Sequence, residues 1–277
     1  MHEALQHYAS SYSEFSSLLA YSVSLIEAQR GETPRDERES YAERIFGKLV
    51  CHGLSLQRLS PSPPPTKSGE LWDVSSNYAL ARTLIETYDA LAYVAFESIS
   101  NTEREFRLLL WQVHSLERRA EMLRLMGSKD PKVGDVLTDL ARLKSSLLGH
   151  TFLLSAGEEL RKKIEKGETP PYHLSQKERD QRAGIDRDYH RAVVMHLSSH
   201  VHTHPFSVYQ LFEFQAGDPE CFRLMAIPLQ YSTGFLSKAV VGMIELFQPR
   251  TPPINASLQR TIDLWNGLLA KGVASAG

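Results

Sequence analysis

The chain is poor in cysteine, in long apolar runs and in net charge, and each shortage closes off a class of function. Two cysteines in 277 residues, Cys51 and Cys221, are too few and too far apart for a disulfide framework or a zinc knuckle. No apolar run approaches the roughly 20 residues that span a bilayer. The opening residues, MHEALQHYASSYSEF, lack the basic n-region and apolar h-region of a secretory leader. These shortages read as a cytoplasmic protein with no membrane partner. Lysine and arginine number 31 against 33 acidic residues, a formal charge of −2, which argues against a chain that coats nucleic acid by bulk charge. Phosphate-cradling glycine loops, a dinucleotide fingerprint and a nucleophile elbow are missing, so no cofactor is implied. The paired E-x-x-H motifs of a di-iron bundle are missing too.

What is present is an ordinary globular composition, 42% hydrophobic and 23% charged, long enough to bury a substantial core. Apolar residues recur at three- and four-residue spacing almost throughout, with no alternating strand. The pattern predicts an all-α fold, one helical domain over residues 1–277, built as a mostly antiparallel bundle of about eight helices. The first helix covers His2 to Gln29. The second opens at Thr33-Pro34 and runs to about Leu59. A buried helix spans Leu71 to about Ser98, and the next runs from Thr102 to Met126 with Asn101 or Thr102 as its cap. Another starts near Asp130-Pro131 and passes Leu148. Asp186 opens a helix ending near His204-Pro205, Asp218-Pro219 one that reaches Phe247, and Asn255 the last, to about Lys271. Residues 60–70, beginning SPSPPPTKSG, cannot be helical and read as a mobile surface connector. Residues 168–185 read as a polar loop with room for a short helix.

The densest chemistry lies between Asp188 and Pro205, where His190, His196, His200, His202 and His204 account for five of the 11 histidines. At about 100° per residue, His190, Val194, Leu197 and Val201 share the side that packs inward. Tyr189, His196 and His200 line one flank; Arg191, Ser198 and His202 line the other. His196 and His200 at i,i+4 have a spacing that a metal could use. Leu197 stands where an H-E-x-x-H motif has its glutamate, however, and no acidic third ligand adjoins, so no metal site is assigned. The strip Arg161-Lys162-Lys163-Lys166 is interleaved with Glu158, Glu159 and Glu165 and reads as a solvated face. On the helix around Ala79–Ile99, Arg82 and Glu86 head a narrow polar stripe. Two readings stand for it: a solvated i,i+4 pair, or a partly buried brace across the bundle.

Two resemblances follow from these residues. Arg191-x4-His196 resembles the motif that HEPN-type ribonucleases carry on a helix of an α-bundle, and Arg107-x6-His114 has a related spacing in a plain amphipathic helix. The resemblance implies a homodimer, an RNA substrate and metal-free cleavage. His196 or His202 would activate a ribose hydroxyl, and Arg191 would stabilise charge on the phosphate. The second resemblance rests on Ala81-Arg82-Thr83-Leu84-Ile85-Glu86 together with Tyr189…Leu197-Ser198-Ser199-His200-Val201-His202. Over Trp72 to Pro205 these elements resemble a bacterial family known only as a domain of unknown function, and more distantly HEPN-like and abortive-infection helical proteins. That likeness implies a polar cluster in which Arg82 and Glu86 face Ser198 and His202, joined by Tyr189 and Arg191. Such a cluster either fixes the register of two helices or, with His202 beside Glu86, supplies an acid–base group. The leading expectation is a binding or regulatory module for a protein partner. The alternative is a metal-independent endoribonuclease of a defence or toxin system.

Overall fold

The computed structural model describes residues 2–63, 72–213 and 217–272, and every regular element among them is a helix. In order these are α1 (His2–Gln29), α2 (Glu37–Leu59), α3 (Val74–Leu91) with a π-helical turn at Ala92–Phe96, α4 (Asn101–Leu125), α5 (Lys132–Leu148), α6 (Thr151–Ala156), α7 (Glu158–Lys166), α8 (Gln176–Ala183), α9 (Arg187–Val201), α10 (Pro205–Glu213), α11 (Pro219–Phe247) and α12 (Ala256–Lys271). The all-α fold stands, with twelve α-helices among the described residues in place of about eight. The helix expected to pass Leu148 breaks at Gly149 and again at Gly157, whose φ of +99° suits only glycine. The 168–185 loop holds α8, and α9 ends at Val201, three residues before α10 begins.

Local hydrogen bonds explain where the starts differ from expectation. Asp36, not Thr33, opens α2, because its carboxylate accepts from Glu39 N at 2.9 Å while Glu39 reaches back to Arg35 N. Ser100, not Asn101 or Thr102, opens α4 by accepting from Glu103 N. Asp73 caps α3 in the same way, two residues beyond the expected start at Leu71. Asp186 caps α9 as expected. Of the proline-rich connector, residues 64–70 lie outside the described residues. Its first residues are tied down: Ser60 Oγ donates to Leu56 O and Asn77 Oδ1, and Pro61 O accepts from the Tyr8 hydroxyl.

The chain divides into two compact units: Met1–Phe96 with Asp180–Gly277, and Glu97–Arg179. The first is organised around α11, of which nineteen of 29 residues are buried. Contacts Tyr8–Phe222 and Gln29–Arg250 show α1 running parallel to α11 and the chain beyond it. Tyr78–Leu224 and Tyr88–Phe235 show the same for α3. Helices α2 and α9 run against α3, as Ser60–Asn77 and Tyr78–His200 attest. Pro228 sits inside α11 and has no N–H to give to Leu224 O. The buried Tyr78 hydroxyl donates to that carbonyl at 3.2 Å and fills the gap.

The second unit is thinner. Its core is Phe106, Leu110, Val113, Leu147, Leu153 and Ile164. Beyond Val113 no residue of α4 is buried, and α5 buries only Val136 and Leu147. The far half of the α4–α5 hairpin therefore leaves Met122, Leu125, Met126 and Leu137 exposed.

Candidate functional site

Part of the expected polar cluster forms. Arg82 on α3 donates from Nε to Ser198 Oγ on α9 at 3.2 Å, and its Nη2 lies 2.7 Å from Glu86 Oε1. Both earlier readings are half right: the Arg82 side chain is 21% exposed but Glu86 is 57% exposed, so the brace is solvated at its acidic end. The other expected members are elsewhere. His202 is the exposed C-cap of α9, its ring 5.6 Å from that of His204. Arg191 is exposed. Tyr189 is half-buried on the opposite flank, edge-on to Tyr231.

His196 shares that flank. Its Nδ1 lies 3.4 Å from the Tyr231 hydroxyl, and its ring meets Tyr78 and Phe206 edge-on. Arg191 and His196 thus do not converge within the chain. His200 stacks on Tyr78 with centroids 4.0 Å apart, and its Nε2 pairs with Gln210 Oε1 of α10 at 3.1 Å. Burial holds both histidines below the usual imidazole range; for His200 the Gln210 bond opposes that shift and His196 adds to it. Their rings are 6.3 Å apart, and among the described residues no cluster of three or more His, Cys, Asp or Glu could hold a metal ion.

The inward stripe of α9 is rotated from the expected one. His190, Val193, Leu197 and His200 are buried, Val194 is half-buried and Val201 is exposed. His190 stays inward as expected, held by polar partners. His190 Nδ1 lies 2.6 Å from Asp180 Oδ1, and its Nε2 lies 3.7 Å from Asp89 Oδ2. An imidazole so paired can sit in a core that its hydropathy alone would forbid.

The second unit holds a mainly polar line that includes the Arg107 and His114 of the R-x6-H spacing. Glu103, Arg107, Leu110, His114 and Glu117 lie within about 80° of arc on α4. Arg107 is only 1% exposed, pairing with Glu103 and Glu97 at 2.6 and 2.8 Å. His173 Nε2 lies 3.7 Å from the same Glu103 oxygen. Further along, His114 Nδ1 pairs with Thr169 O at 2.7 Å, and Thr169 N donates to Glu117 Oε2 at 2.9 Å. The i,i+4 pair Glu103–Arg107, followed by His114 and Glu117 on the same line, was the available signal.

At its Glu117 end this line borders a cleft of about 850 Å³ between α4 and α5. Ala120, Leu123, Val133, Leu137 and Leu140 supply its apolar wall. Thr169 is 3% exposed and its Oγ1 has no hydrogen-bond partner. Glu117 Oε1 is also buried without one; it forms an ion pair with Lys144 Nζ at 3.5 Å, and that ammonium donates a hydrogen bond to Glu165 O. A buried polar atom left unpaired costs about 1–3 kcal/mol. No helix among the described residues is long and apolar enough to cross a membrane. The chain matches no family model, no curated protein and no solved structure.

Proposed function

We propose that the chain is a cytoplasmic binding or regulatory module whose ligand seats in the α4–α5 cleft. One observation carries this reading: two buried oxygens without a hydrogen bond, Thr169 Oγ1 and Glu117 Oε1, stand at one end of a cleft of about 850 Å³ whose apolar wall is edged by Arg118, Glu121, Arg124, Lys144 and Glu168. Small-molecule sites have that form, apolar walls with a few polar groups that fix orientation. The chemistry calls for an amphipathic molecule. Its head offers a donor to Glu117 Oε1 beside an acceptor for the Thr169 hydroxyl, as a primary amide does, and its chain lies along Leu123, Val133, Leu137 and Leu140. Arg82, Glu86 and Ser198 serve in this reading as a clip between α3 and α9.

Octanamide is a direct probe, with octane-length alcohol and acid as comparisons. The amide should raise the melting temperature of the wild-type chain and leave Thr169→Val unmoved. Without ligand, Thr169→Val should itself melt higher than wild type, because a methyl replaces an unpaired buried hydroxyl. A lower melting temperature for Thr169→Val, or equal amide binding by both proteins, overturns the assignment. RNA cleavage lost on Arg191→Ala and His196→Ala would replace it with the endoribonuclease reading.

A further inference from the structure

A second cavity, of about 280 Å³, lies in the other unit where α1 ends and α2 and α11 pass. Ile26, Phe46 and Met243 form its apolar side; Gln29, Glu32 and Glu43 bring oxygen acceptors to it. Gln29 is 7% exposed, and the amide commits its Nε2 to Arg250 O at 3.0 Å, leaving Oε1 buried with no donor. Glu43 Oε1 is likewise buried without a donor.

The neighbouring charges do not answer this demand. Glu39, one turn before Glu43 on α2, is held by Arg35 and by Arg250 Nη2 at 3.2 Å. Arg250 Nη1 lies 3.8 Å from Glu32 Oε2. The two guanidiniums are thus spread over Glu32 and Glu39. Burial, reinforced by the charge of Glu39, raises the Glu43 carboxyl above its ordinary range, against the opposing pull of Arg250 and Arg44. The corner presents two buried oxygens without donors, one of them a carboxylate's, beside an apolar floor; Arg30, which also lines it, is exposed.

We propose that this corner binds a small free primary amine, its ammonium donating to Gln29 Oε1 and Glu43 Oε1 and its alkyl chain lying on Ile26, Phe46 and Met243. An ammonium carries three donors and no acceptor, which is the complement of the two unpaired oxygens. A neutral alcohol covers the apolar floor and brings a single donor, and it leaves the carboxylate without a counter-charge. The site is independent of the α4–α5 cleft, and either can fail alone.

Methyl NMR of the full chain titrated with n-pentylamine tests it. Met243 and Ile26 methyl signals should shift saturably with the amine, with n-pentanol binding about tenfold or more weakly, the contrast expected of a charge-assisted bond. Glu43→Gln should weaken the amine by a similar factor and leave pentanol unchanged. Equal binding of amine and alcohol overturns the proposal, as does amine binding unchanged in Glu43→Gln. Tighter binding of acetyl-lysine amide than of pentylamine overturns the free-ligand assignment, since that probe stands in for a partner's lysine side chain. The amine–alcohol comparison on the wild-type chain needs no variant to fold.

Discussion

Helices α9 and α4 each carry a line of ionisable residues, and they end differently. Along α9, His190 closes on Asp180 and Asp89, His200 on Gln210, and Ser198 on Arg82. Arg191 and His202, which make no such bond, stand at the surface, and His200 Nδ1 alone of that residue's two ring nitrogens stays buried without one. Along α4 the line begins just as well paired, with Arg107 between Glu97 and Glu103, but ends at Glu117 and Thr169 with buried oxygens that no hydrogen bond satisfies. A polar line whose members answer one another fixes helix register. One that stops short, beside a cleft, marks where something else completes it.

The sharpest way to break this contrast is at the paired end of α4. Arg107→Leu leaves two carboxylates facing each other in a dry site and should destabilise the Glu97–Arg179 unit by about 3–5 kcal/mol. Hydrogen exchange of α4 amides reads that unit directly and should accelerate sharply. Protection within about 1 kcal/mol of wild type would mean that water reaches the network.

Next in size is Tyr78→Phe. The ring still packs against His196 and His200, but Leu224 O, deprived of its helical donor by Pro228, loses the hydroxyl that serves it. Urea denaturation should show a loss of about 1–3 kcal/mol. An unchanged midpoint would show that water takes the place of the hydroxyl.

Acid should reveal the α9 histidines. Above their ordinary value of 6.5, His196 and His200 are neutral in both folded and unfolded chains, so neither adds a pH dependence. As pH falls below that value, the unfolded chain binds protons that the buried rings resist, and stability declines towards their depressed folded values. Melting temperature should drop between neutral pH and about 5.5, and His196→Gln with His200→Gln should flatten the slope. A slope indifferent to both changes would locate the acid sensitivity elsewhere.

How much of this was legible beforehand depended on whether the cause was local. Helix periodicity is local, and α1, α11 and α12 stand where their patterns and caps place them. The α2 start was misplaced because Thr33-Pro34 has the right residue types, while the backbone bond that decides goes to Asp36. On α9 the hydropathy of Val201 outweighed that of His200. Only Tyr78 and Gln210, both distant in sequence or on a helix not foreseen, make His200 an inward residue. Arg82 and Ser198 were paired in advance through a resemblance, since nothing local joins residues 116 apart. Thr169 was invisible: its importance lies in lacking a partner, and a sequence records no such absence.

The smallest expected effects discriminate between two pictures of the α9 surface. The sequence reading put His202 in a buried network, so that His202→Ala should cost stability. The structure leaves it exposed at the helix end, and substitutions in such places stay within about 0.5 kcal/mol. Ser198→Ala removes one bond to an arginine that keeps Glu86, a loss of about 0.5–1 kcal/mol. Chemical denaturation of both variants should therefore rank Ser198→Ala below wild type and His202→Ala level with it. The reverse order would return His202 to the cluster, restore an acid–base group beside Arg82 and Glu86, and erase the contrast between a closed line on α9 and an open one on α4.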